Sequence, residues 1–175
     1  WELQDAPEPF SPKTPTTEAE RDRLHALALF SAARALQKRQ EYPAALGMYQ
    51  RALRYDPTSR ASAEAAVMLA EQLQRAEQRR RYLLRAAELA PADVEPVELL
   101  DLTDAVEHKV MLRRVIALFE KVVAIQENKD EDPKSPVETV LRWRLGELYL
   151  LDGQYAKAAA CAGRVIEAID QPERF

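Results

Sequence analysis

The stretch EYPAALGMYQRALRYDP, residues 41–57, sets small residues among large ones at regular spacing. Ala45 and Ala52 are seven apart, which on an α-helix puts them on one face, two turns from each other. Tyr42, Leu46, Tyr49 and Leu53 stand around them. Small residues at such positions let a partner helix approach closely, and the large ones fill the space around the contact. The run closes on Asp56-Pro57, and proline lacks the backbone N–H that a continuing helix needs. The stretch reads as one helix over residues 42–55, shaped to pack against a neighbour.

The pattern recurs, which decides the fold. A shift of 34 residues sets Ala52 on Ala86, Tyr49 on Leu83, Tyr55 on Leu89 and Pro57 on Pro91. A third copy, LRRVIALFEKVVAIQ at 112–126, places Phe119 in the Tyr49 slot after two extra residues near 93–98. A fourth, LGELYLLDGQYAKAAACAGRVIEAI at 145–169, sets Tyr155 on Tyr42, Ala158 on Ala45 and Val165 on Ala52. It needs a nine-residue insertion, which matches the polar DEDPKSPVE at 130–138, an expected surface loop. Each copy reads as two antiparallel helices joined by a tight turn. Each such pair leaves an apolar face that the next pair covers.

Upstream, Thr17 opens TEAE, a capping box that starts a helix running to about Arg39. Its apolar residues Leu24, Ala28, Ala32 and Leu36 lie four apart, on one face. Residues 1–16 carry four prolines and no helical period, so they are expected to be extended or disordered. Trp1 and Phe10 give that tail two large anchors with which to dock on its own domain. The first residue is Trp1, which fits a piece of a larger protein or a mature form whose leader is gone.

Composition agrees with an all-α chain. Of 175 residues only 4 are glycine, 47% are hydrophobic and 31% charged. β-Branched runs and glycine-rich turns are scarce. The formal net charge of −4 is the wrong sign for a nucleic-acid binder, so no nucleic-acid partner is expected. No apolar run reaches the length of a membrane span. The compartment stays open, since an exported or a cytoplasmic setting fits equally.

The slots resemble those of the tetratricopeptide repeat (TPR) family, whose unit is a 34-residue helix–turn–helix. The fourth copy carries Leu145-Gly146, Tyr149, Gly153, Tyr155, Ala158 and Val165-Ile166. The first carries Ala32-Ala33, Leu36, Tyr42, Ala45, Tyr49, Ala52-Leu53 and Pro57. In the second, Arg79 stands where the family prefers alanine and Ala76 where it prefers a large residue. The third matches in its second helix. The resemblance implies an α–α superhelix of about four hairpins, in a domain over 17–171 with repeats near 26–59, 60–93, 96–129 and 139–171. It also implies non-catalytic binding of a protein or peptide on a concave face lined by the first helices.

On that geometry the candidate partner-binding residues are Phe30, Arg34, Met68, Trp143 and Glu147. An open groove bearing these residues makes the chain an adaptor or scaffold. The alternatives are that the tail or a terminal helix covers them, or that the repeats only join subunits or domains, with self-association. The carboxylate-clamp subset of the family holds lysine and asparagine on successive first helices, where this chain has Phe30, Arg34 and Ala65, then Val97 and Asp101 or Glu95 and Leu99. None of those third-copy residues is basic, so the chain does not resemble that subset.

Other features carry no chemistry by sequence. RAEQRRRYLLR at 75–85 is basic, and Glu71, Glu77 and Glu88 are placed to balance it on a solvated outer face. KDEDPKSP at 129–136 lacks the glycine turn and closing glutamate of a calcium loop. Asp104 and His108 are four apart, enough at most for a weak two-ligand metal site, and His25 stands alone. Cys161 has no second cysteine and reads as a small core residue. No phosphate loop, nucleophile elbow or acid–base constellation is present, so neither an enzyme nor a cofactor is expected.

Overall fold

The computed structural model describes residues 16–103, 109–129 and 136–170. They form eight α-helices: α1 (Glu18–Lys38), α2 (Tyr42–Tyr55), α3 (Arg60–Gln72), α4 (Ala76–Leu89), α5 (Pro96–Thr103), α6 (Lys109–Lys129), α7 (Pro136–Leu151) and α8 (Tyr155–Ile169). A single 3-10 turn, Pro91–Asp93, precedes α5. No strand occurs among the described residues. The tail anchors Trp1 and Phe10, the pair Asp104 and His108, and residues 130–135 of the expected loop lie outside the described residues.

The hairpins repeat at the level of the backbone. In the α1–α2 turn Gln40 has φ 63°, in the α3–α4 turn Gln74 has φ 56°, and in the α7–α8 turn Gly153 has φ 78°. The next residue in each closes the same bond back across the helix end. Glu41 donates to the Leu36 carbonyl at 3.0 Å, Arg75 to Ala70 at 2.8 Å and Gln154 to Tyr149 at 2.8 Å. The left-handed residue itself donates to Gln37, Glu71 and Leu150 respectively. This is the Schellman closure, which satisfies orphan carbonyls and turns the chain back within three residues. The fold is all-α and TPR-like.

At the other end of α1, the Thr17 hydroxyl accepts from the Glu20 N–H at 3.2 Å, and a Glu20 oxygen accepts from the Thr17 N–H at 2.8 Å. The capping box read from the sequence is therefore formed. That backbone donor, with the Thr17 hydroxyl, holds the Glu20 carboxyl below its usual range.

The chain divides into two compact units, Trp1–Pro57 and Thr58–Phe175. In the first, Ala26 and Ala33 of α1 are buried, as are Ala45, Leu46, Tyr49 and Ala52 of α2. The α1 stripe of residues four apart is not the buried face. Leu24 is 57% exposed, Ala28 and Ala32 are exposed, and Leu36 is half-buried. The buried face is set by close approach, which needs the small pair Ala26 and Ala33, seven apart, and not by the run of residues four apart.

In the second unit a continuous core runs from α4 to α8. Leu83, Leu84 and Ala87 of α4 join Leu99 and Leu102 of α5, Val115 and Phe119 of α6, Leu141 and Leu145 of α7, and Ala158 and Cys161 of α8. Gly146 faces α8, and a Cβ there would sit in van der Waals contact with the Cys161 Cβ at 3.4 Å. Cys161 is buried, and that burial pushes its thiol pKa up, as fits an inert packing residue.

Helix α7 starts earlier than the expected loop 130–138 allows. Pro136 opens it, at a position where a missing N–H costs nothing, and 136–138 form its first turn. Glu138 is only 3% exposed, and it accepts from Arg142 Nε at 2.7 Å. The salt bridge is what lets a charged residue of a polar stretch go inside.

The basic run in α4 is matched by acids. Arg79 binds Asp101 of α5, Arg80 lies 3.6 Å from the same carboxylate, Arg81 is 2.7 Å from Glu77, and Arg85 is 3.7 Å from Glu88. Glu71, 3.7 Å from Arg79, acts as expected with Glu77 and Glu88. The link from Arg79 and Arg80 to α5 was not foreseen, and it shows that part of this run ties two helices together instead of facing solvent.

Candidate functional site

Phe30, Arg34, Met68, Trp143 and Glu147 fall into three places. Phe30 is half-buried, with its ring 5.4 Å from Tyr49 in an edge contact. Tyr49 is fully buried and its hydroxyl donates to Gln37 Oε1 at 3.1 Å. Burial pushes the Tyr49 pKa up, against the opposing pull of Arg34, which hydrogen-bonds to it. In this hairpin Phe30 and Arg34 therefore help to seat a tyrosine of the chain itself.

Trp143 stands in the slot equivalent to Phe30, and its surroundings differ. It is 56% exposed, and its Nε1 donates to Glu147 Oε1 at 3.1 Å. Arg144 holds the other Glu147 oxygen at 2.8 Å. Trp143 and Glu147 border a cavity of about 290 Å³ between α7 and α8, whose walls include Gly146, Leu150, Tyr155 and Ala162 and are almost wholly apolar.

The reason for that cavity is one substitution in the repeat. The spacing that sets Trp143 on Phe30 and Tyr155 on Tyr42 sets Ala162 on Tyr49. Where the first hairpin inserts a tyrosine ring between its helices, the last has a methyl group. Leu150 likewise replaces Gln37, so the polar partner of the tyrosine hydroxyl is gone as well. Sequence reading passed over Ala162 because an alanine fits any helix. Its signal was available only by aligning the fourth copy on the first, residue by residue.

Met68 lines a second groove, also about 290 Å³, bounded by α3, α4 and the entry to α5. It is 65% exposed. The other slots considered for the third copy are divided. Leu99 is buried and Asp101 is held by Arg79, while Val97 and Glu95 are exposed.

No group of three or more His, Cys, Asp or Glu that could hold a metal occurs among the described residues. His25 packs edge-on against Tyr55 with ring centres 5.4 Å apart. No described helix is long and apolar enough to cross a membrane.

No protein-family model and no curated protein matches the sequence. Solved structures are similar. MamA (residues 41 to the end) from Desulfovibrio magneticus RS-1 is 17% identical, covering 89% of this chain and 81% of that one, with a TM-score of 0.42. A Podosopora anserina protein described as a kinesin light chain with nearly identical TPR-like repeats is 16% identical, covering 86% and 77%, with a TM-score of 0.46. YrrB, a TPR protein with an unusual peptide-binding site, is 17% identical, covering 89% and 91%, with a TM-score of 0.36.

Proposed function

We propose that the chain is a non-catalytic protein-interaction module, an adaptor or scaffold that holds a peptide or protein segment against its first helices. The observation that carries this is the apolar cavity between α7 and α8, walled by an exposed tryptophan and left open by Ala162. An exposed indole beside a desolvated slot is the usual form of a binding anchor. Its Nε1 is already satisfied by Glu147, so a ligand need bring only an apolar group to the ring. Phe30 and Arg34 in the first unit and Met68 in the second are proposed as further contact residues, each on the first helix of its own hairpin.

The test is a peptide-display selection against the chain, followed by Ala162→Tyr. That change fills the cavity with the side chain the first hairpin uses. Selected peptides should lose about tenfold or more in affinity, a loss of roughly one large apolar contact, while helicity and Tm are kept or raised. Peptides that bind Ala162→Tyr and Trp143→Ala as well as the native chain would remove this reading.

One observation favours a second reading, a structural or oligomerising role. Tyr155, Ala159, Ala162, Ile166 and Ile169 are all exposed and recur at spacings of four and three along one face of α8. That is the seam pattern by which one helix packs on another. A helix of a neighbouring domain or a second copy would cover it. Mass by sedimentation that rises with concentration, and stays monomeric in Ile166→Glu, supports this reading over the first.

A further inference from the structure

We infer that the groove bounded by α3, α4 and the entry to α5 takes a protein segment bearing lysine or arginine beside an aliphatic or aromatic side chain. The inference rests on the reading of the chain as an interaction module and adds the chemistry of the partner. The floor of the groove is apolar. Val67 and Val94 lie half-buried on the core of the second unit, and Met68 stands exposed beside them. Its rim is acidic, with four carboxylates, Glu64, Asp93, Glu95 and Glu98, and a single cation, Arg60.

That one cation is already shared. Arg60 Nε lies 2.5 Å from Glu64, and its Nη1 binds Asp93. Glu98 turns one oxygen to the Glu95 N–H at 3.4 Å, capping the first turn of α5. Among the described residues neither Glu95 nor Glu98 has a cation against it. Unmatched carboxylates around a low-dielectric concavity focus a negative potential there. A hydrated ion would answer the charge and gain nothing from Val67, Met68 and Val94. A lysine or arginine stem answers both, with its methylenes along the floor and its head at the rim. Methionine adapts to the shape of whatever side chain accompanies it. The preference is opposite to that of a carboxylate clamp.

The test is fluorescence anisotropy of the full chain with three labelled short peptides. One alternates Lys and Arg with Leu and Phe, one carries Glu in place of the cations, and one carries Gly in place of the apolar residues. The first should bind most tightly and weaken with salt. The double variant Glu95→Gln, Glu98→Gln should weaken it by about fivefold, since two partly exposed charge pairs are lost. Glu98→Gln keeps an acceptor for the cap, so helicity by circular dichroism should not change. In a Trp143→Ala background, which removes the apolar anchor at α7 and α8, the double variant should weaken binding of the first peptide by the same factor. Equal binding of the Glu or Gly peptide, no loss in the double variant, or no binding of the first peptide would each overturn the inference. Loss in Trp143→Ala but not in the double variant would overturn it too, while leaving the module reading in place with its site at α7 and α8.

Discussion

Gln40, Gln74 and Gly153 hold the same place in three turns, but only one of them is a glycine. A side chain in the left-handed region meets its own backbone, at a cost of about 1 kcal/mol or more. Gln40→Gly and Gln74→Gly should therefore each stabilise the chain, by about 0.5–1 kcal/mol, and Gly153→Ala should destabilise it by about 1 kcal/mol. Urea unfolding of the three variants checks the signs. The turns were legible in the sequence only as gaps between periodic runs, because Gln40 and Gln74 give no mark of positive φ. Tyr49 is the other residue on which much depends. Tyr49→Phe should cost about 1 kcal/mol through the orphaned Gln37 partner, and Tyr49→Ala about 3–5 kcal/mol through the cavity left in the first hairpin.

Helices α6, α7 and α8 are joined by a charged clasp. The Tyr149 hydroxyl donates to Glu120 Oε1 at 2.6 Å, Lys157 Nζ donates to the same oxygen at 3.0 Å, and the ammonium sits 5.0 Å from the Tyr149 ring centre. The Tyr149 hydrogen bond, with Lys157, holds the Glu120 carboxyl below its usual range against the effect of burial. A carboxyl depressed in the folded state stabilises above its unfolded pKa and loses that contribution as pH falls through the folded value. The clasp should thus be intact at neutral pH and weaken below about pH 4, where carboxylates take up protons. Burial, with Glu120 second, pushes the Tyr149 phenol well up, so its contribution is present below the ordinary tyrosine range and falls as pH rises above about 10. Glu120→Gln should flatten the acid limb and Tyr149→Phe the alkaline limb of a Tm-against-pH curve. The helices themselves were legible, since their periods and stops fall within a residue or two of α2 and α8. The start of α7 was not, because Glu138 looks like loop chemistry until Arg142, one turn on, is seen to neutralise it in the interior.

Across the whole molecule the apolar material is unevenly shared. The first unit buries four alanines, Leu46 and Tyr49, while the second carries a core running through α4, α5, α6, α7 and α8. Repeat periodicity showed that each hairpin leaves a face open, but not how much each one buries. Ala162 shows only when the fourth copy is aligned on the first, residue by residue, and that Glu95 and Glu98 line one groove with Met68 could not be read at all, because it depends on which residues of different helices come together. The imbalance has a direct consequence for folding. A chain of about 40 residues rarely holds itself together on its own core, and a single hairpin of a repeat array has little to bury alone. Residues 58–175 made separately should keep their helicity and unfold in one cooperative step, because the cluster from Leu83 to Cys161 is complete within them. Residues 16–57 made separately should show weak helicity and no cooperative thermal transition by circular dichroism. The capping box and the Schellman turn would still bias them toward helix, but local signals contribute only about 1 kcal/mol each. A sharp transition in the short chain would mean that Tyr49, with Phe30 and Gln37 around it, suffices as a core, and that the hairpin is itself the folding unit.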